Sequence, residues 1–239
     1  FSVFKSKRLT LWLIAYALFG IMGNLYTFFM SIQTGNAATA TILQYLSPLF
    51  IVLGTLVFTK KWPNHVDLIA FSIALVGVFL AITKGNLHTL TVPLNSLVWG
   101  ILSGVTAAFY VVLPRPIVAE KSPIIVLGWG MFISGILFNL HRPFWQAPPS
   151  LNVSGVIAIL AVILIGTVFA FLALLHSLNF APSTVVSIVD AIQPIITFVL
   201  SMIFFHTLFS WVELAGAVLV ILAIYILQRY QEAESDPLK

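Results

Sequence analysis

Asp190, Gln193 and Pro194 stand at i, i+3 and i+4 inside a long apolar run, so on a helix they share one face. Asp190 is the single acid well inside such a run. It lies eight residues beyond Pro182, where the run opens, about 12 Å along a helix. A carboxylate in hydrocarbon is expensive, so it is either paired or used. Used, it lines a wet cavity and binds a cationic group or takes up a coupling proton. Paired, it is a protonated or hydrogen-bonded packing residue, and the residues alone leave both readings open. Pro194 removes one backbone hydrogen bond, which frees a carbonyl and lets a helix bend. Gln44 and Pro48 repeat the spacing in an earlier apolar run. Both prolines are expected to kink their helices in mid-span, either as part of a site or as tolerated bends.

Further hydrogen-bonding groups and aromatic faces inside apolar runs come from Asn24, Tyr26, Tyr45, Tyr110 and Trp129. With Gln44, Asp190 and Gln193 they make up the candidate substrate cavity. Trp62, Trp99 and Trp211 sit near run ends and read as interface anchors. Gly100 and Gly104 form a small-xxx-small pattern suited to close helix packing. Catalysis is not supported: there is no cysteine, no His-Glu-x-x-His, no Gly-x-Ser-x-Gly and no second buried acid for a dyad. The histidines and acids do not cluster as metal ligands, and nothing calls for a cofactor.

The elements that must position these residues follow from composition. The chain is 60% hydrophobic and 8% charged, with a mean hydropathy of +1.09. A soluble domain carries roughly a quarter charged residues, so the solvent here is lipid. The net charge of +4 is spread thinly between apolar runs, which is no nucleic-acid footprint. Eight runs have the length of a bilayer crossing: Leu9–Met30, Ala37–Phe58, Val66–Thr83, Ser96–Val118, Pro123–Leu140, Ser154–His176, Pro182–Phe205 and Trp211–Gln228. Asn36 and Asn95 can cap helix starts. Asn64–Asp67 and Ser210–Glu213 have capping-box spacing, and the tail from Arg229 to Lys239 is expected to fray. Alternate run ends gather Lys5, Lys7, Arg8, Lys60, Lys61, Arg115, Lys121, Arg229 and Lys239 on one side, against Lys84 and Arg142 on the other. The positive-inside rule then places both chain ends in the cytoplasm.

A shift of 146 residues lays Gly20–Leu80 on Gly166–Ile226 without a gap. Gly20 meets Gly166, Ser31 meets Ser177, Ile42 meets Ile188, Pro48 meets Pro194, and Phe58 meets Phe204. Val66-Asp67-Leu68 falls on Val212-Glu213-Leu214. The shift spans five runs, and an odd number reverses each matched helix, which predicts an inverted-topology repeat. The fold expected is an all-α polytopic membrane protein with eight transmembrane helices grouped 3 + 5, the remnant of a 5 + 5 repeat. Residues 9–83 form the partial first repeat, 96–228 the second, and 229–239 a cytoplasmic tail. Two preceding helices are expected to be absent, with a genuine eight-helix protein as the alternative.

Gln44-Tyr45-Leu46-Ser47-Pro48, Gln193-Pro194, the stretch Ala107–Arg115 and Gly128-Trp129-Gly130-Met131 carry a resemblance to the EamA-type drug/metabolite transporters. The resemblance places these segments in the fourth, ninth, sixth and seventh of ten helices. It implies a cell-membrane secondary transporter, exporting small metabolites such as amino acids or amphipathic compounds; Asp190 is the candidate for coupling to a proton or other cation, which a uniporter or exchanger would not need. A lipid-linked substrate flippase and a non-transporting membrane component are the alternatives. This chain departs from the family pattern in two places. Lys60 and His206 stand where members often close those helices with glutamate, and Gln193 stands where they often have glutamate before proline. Oligomeric state is not legible.

Overall fold

The computed structural model describes residues 2–60, 62, 64–84, 92–141, 143–146, 152–170, 173, 193–206 and 208–235, and among these there is no strand. The long apolar runs become helices because lipid offers the backbone no partner outside the segment itself. Helix α1 spans Lys7–Thr34 and carries a π-helical stretch at Tyr16–Met22. Asn36 then opens α2 (Ala37–Gln44), its side chain accepting from the Thr39 N–H at 2.8 Å. The chain turns at Tyr45-Leu46 and resumes as α3 (Ser47–Thr59). Helix α4 (His65–Thr83) starts on a complete capping box made by Asn64 and Asp67.

Helix α5 runs Leu94–Val112, followed by the short α6 (Arg115–Val118) and by α7 (Pro123–His141). Asn95 does not cap α5 as expected. Pro93 occupies the capping position and Asn95 already lies in the first turn. Helix α8 (Val153–Phe169) is capped by Asn152 and carries a second π-helical stretch, Leu164–Phe169. Helix α9 is Gln193–Phe205, and α10 is Trp211–Ser235. The tail therefore does not fray at Arg229, because α10 continues to Ser235. Among the described residues, six helical segments are long and apolar enough to cross a membrane: α1, Ala37–Gly54 (α2 with the first half of α3), α4, Leu94–Val118 (α5 with α6), α7 and Trp211–Tyr230 of α10. The expected sixth and seventh spans are represented by the shorter apolar α8 and α9; residues 171–172 and 174–192 lie outside the described residues. The protein is an all-helical polytopic membrane protein.

Helices α4 and α10 pack antiparallel. A Cβ on Gly77 would meet Gly216 O and Val220, while one on Gly216 would meet Ala81. With no side chain at either glycine the two backbones come into direct contact, as small residues allow in a membrane. The buried positions Ala70, Ala74, Gly77 and Ala81 of α4 fall, 146 residues on, at the buried positions Gly216, Val220, Ala223 and Leu227 of α10. The same interval relates other features. Helices α3 and α9 end at equivalent residues under it, Thr59 and Phe205, and they close on left-handed residues Lys60 (φ 56°) and His206 (φ 50°). Ser210 and Glu213 reproduce the Asn64/Asp67 box, with the Ser210 N–H donating to Glu213 Oε2 at 2.6 Å. The π stretches also overlap under the shift.

On the other side of the bundle α1 packs against α5. Ser31 Oγ donates to Ser96 O and Ser96 Oγ donates to Ser31 O, each at 2.9 Å, and the Thr27 and Thr106 hydroxyls lie 3.0 Å apart. Gly100 and Gly104 of α5 accept α2 and α3 at short range, with a Cβ on Gly104 falling 2.8 Å from Leu43 O. Their expected packing role holds. Ser134 of α7 donates to Ala17 O at 2.7 Å, using a carbonyl in the π stretch of α1.

Candidate functional site: a polar cavity at the break between two helices

The turn at Tyr45-Leu46 decides where polar groups collect. Tyr45 N–H still bonds to Thr41 O, but Leu46 N–H bonds to Leu43 O and Leu49 N–H to Leu46 O, so the regular ladder is interrupted. The polar residues at the end of α2 project into the gap that the interruption opens. Gln44 Nε2 donates to Asn24 Oδ1 of α1 at 2.9 Å. Tyr45 Oη donates to Gln193 Oε1 of α9, also at 2.9 Å. These bonds tie three helices around a cavity of about 430 Å³, within the range of small-molecule sites.

Asn24, Gln44, Tyr45, Tyr110 and Gln193 therefore lie together on the cavity wall, as does Pro48. The proline's part differs from the expectation. It is not a mid-helix kink: the chain breaks before it, and Pro48 sits in the first turn of α3, where a missing N–H costs nothing. The stretch before Gln193, on which the expected mid-helix position of Pro194 depends, lies outside the described residues. Tyr110 is backed by Tyr16, with ring centroids 5.7 Å apart.

Two candidates are placed elsewhere. Tyr26 is two residues past Asn24, about 200° around a helix at 3.6 residues per turn, and packs edge-on against Trp99 and His141. Trp129 packs edge-on against Phe4 at 4.9 Å and against Phe132. It lines a separate, apolar recess with Ile125 and Gly128. Asp190 lies outside the described residues.

The cavity also takes in residues not singled out from sequence: Ser47, Arg115 and Gln228, beside Ile51, Val111 and Ile224. Gln228 was legible in principle, since it stands four residues after Ile224 on the same helix face. Arg115 was read only as one of the charges that orient the chain. Among the described lining residues Arg115 alone carries a formal charge.

Amides, phenols and one guanidinium facing a cavity within an apolar helical bundle make the layout of a membrane transporter. The comparisons with known proteins agree. The profile of the EamA-like transporter family matches residues 1–83 and 94–229. The chain belongs to that family. It is 30% identical over 230 residues to an "Uncharacterized inner membrane transporter YicL" of Salmonella typhimurium (strain LT2), covering 95% of this chain and 76% of the relative. A crystal structure of a protein only 13% identical superposes with a TM-score of 0.55, covering 95% of this chain and 78% of the other, which is a likeness of fold.

Proposed function

We propose that the chain is a multi-pass inner-membrane secondary transporter that exports small metabolites, amino acids or amphipathic compounds, by alternating access between inverted halves. The observation that carries this reading is the cavity at the α2–α3 break, where side chains from either side of the 146-residue interval meet. The correspondence of the α3 and α9 ends, left-handed closing residues, capping boxes and buried α4/α10 positions supports an inverted pair, and the antiparallel packing of α4 on α10 is what such a pair requires. The first half takes residues 9–83 and the second 96–228. The distribution of basic residues supports both chain ends lying in the cytoplasm. Asp190 is the proposed coupling group, because its repeat equivalent Gln44 faces the cavity.

The protein has no cysteine, so a single probe can be placed without background. Ser47→Cys lines the cavity. In oriented vesicles, alternating access lets a membrane-impermeant maleimide label this position from either side. Labelling from one side only, unchanged by any solute gradient, rejects the mechanism.

A further inference from the structure

We infer that this cavity selects solutes that carry an anionic group, with Arg115 as the residue that binds it. The inference rests on the transport-site reading above and names the substrate class for the same cavity. Its first support is charge. The other polar lining groups that the structure describes are neutral amides and hydroxyls, and Arg115 has no carboxylate within ion-pair distance among the described residues. Its second support is placement. Arg115 opens α6, whose Ile117 is completely buried in the cluster formed by Leu9, Leu13 and Val126. That anchor fixes the backbone carrying the guanidinium beside the cavity. The walls nearby are apolar, through Val111 and Ile224. A charge beside low-dielectric walls is felt more strongly than one in bulk water.

The third support is an unmatched group. The Gln228 side-chain oxygen is buried with no hydrogen-bond partner among the described residues, although Gln228 lines the same cavity. An amide presents either its carbonyl or its N–H according to the network around it. It can therefore orient a polar ligand that Arg115 holds by charge. A guanidinium matches a carboxylate with two parallel N–H···O bonds. The ligand that fits is a small amphipathic acid, its carboxylate on Arg115 and its apolar body against Val111 and Ile224. Arg115 also helps to orient the chain, but that role needs a positive charge alone, which lysine supplies. The fork geometry is what separates the two roles.

The test is direct binding, by titration calorimetry on the full chain in nanodiscs, of 3-phenylpropionate and its neutral amide 3-phenylpropanamide. Wild-type protein is expected to bind the acid at least ~10-fold more tightly than the amide, and Arg115→Gln to weaken acid binding ~10–100-fold while leaving amide binding within ~2-fold. Arg115→Lys recovers only part of the loss. Equal wild-type binding of acid and amide, or binding of neither, overturns the inference without need of any variant. So does unchanged acid binding in folded Arg115→Gln. The transport reading fails separately: acid-selective binding with one-sided labelling of Ser47→Cys rejects transport alone, and two-sided labelling without acid selectivity rejects the anion site alone.

Discussion

Gly77→Ala tests the contact between the proposed halves, because α4 and α10 meet there through backbone. A Cβ on Gly77 would lie 2.7 Å from Gly216 O and 2.9 Å from both Val220 Cγ2 and Val220 N. Ordinary contact begins near 3.4 Å, so the helices must separate by several tenths of an ångström. The first obstacle is a backbone carbonyl, which cannot rotate away as a long side chain would. Over-packing of this kind costs about 1–3 kcal/mol. Alanine also gains about 1 kcal/mol over glycine in a helix. The proper reference is therefore Gly54→Ala or Gly128→Ala, where the added Cβ meets nothing within 4 Å. Both references should be neutral or stabilised. Gly77→Ala should fall below them by the over-packing cost, about 2–12 °C in melting temperature if 1 kcal/mol shifts a protein of this size by about 2–4 °C. Thermal unfolding followed by the fluorescence of the six tryptophans reads the difference. A Gly77→Ala protein as stable as Gly54→Ala would refute the close antiparallel contact.

Tyr45→Phe removes the donor that ties the α2 end to Gln193 of α9, and should cost about 0.5–1.5 kcal/mol while raising the labelling rate of Ser47→Cys; an unchanged rate counts against the latch. Glu213 accepts from the Ser210 N–H and pairs with Lys84 at 3.3 Å, with 10% of its side chain exposed against 37% for Lys84. Glu213→Ala loses cap and pair together, about 1–2 kcal/mol, whereas Lys84→Ala loses only a partly solvated pair, less than about 1 kcal/mol. Chemical denaturation ranks the two, and the reverse order would show that the ion pair dominates. Asp190→Asn should abolish the pH dependence of the ratio of Ser47→Cys labelling from the two sides of the vesicle, a ratio that cancels the thiol's own titration, and a ratio profile matching that of the parent removes Asp190 from the coupling role.

Much of this was written in the sequence because lipid enforces it. An apolar run in a membrane must satisfy its own backbone, so runs, the Asn36 cap and the Asn64/Asp67 and Ser210/Glu213 boxes could be read from spacing, while Pro93 took the capping place expected of Asn95. The polar candidates that came together share helix faces around one break, and each was found as a polar group in an apolar run. What sequence misjudged depends on orientation about a helix axis. Tyr26 and Trp129 have the right chemistry on faces turned to other aromatics. Arg115 has a chemistry whose orienting role is so common that its cavity position was hidden. Pro48 was recognised as an interruption, yet the break was misplaced: Pro48 stabilises the start of α3 and leaves Tyr45-Leu46 to turn.

That correction bears on how an inverted pair can favour one state. Under the 146-residue relation, the mate of Tyr45–Gln193 is Ser47–Ala191, and the mate of Lys84–Glu213 is Asp67–Tyr230. Alanine has no side-chain donor or acceptor, so the latch across the break can form in one sense only. An exchange of the two halves' conformations, which the proposed mechanism requires, therefore gives up the Tyr45 bond without gaining its mate. A net hydrogen bond of about 1 kcal/mol shifts a two-state balance roughly five-fold. In the proposed mechanism the repeat supplies two related shapes, and the places where its residues differ set which shape the protein rests in. Tyr45→Phe should accordingly move the balance by about that factor, toward equal labelling of Ser47→Cys from the two sides.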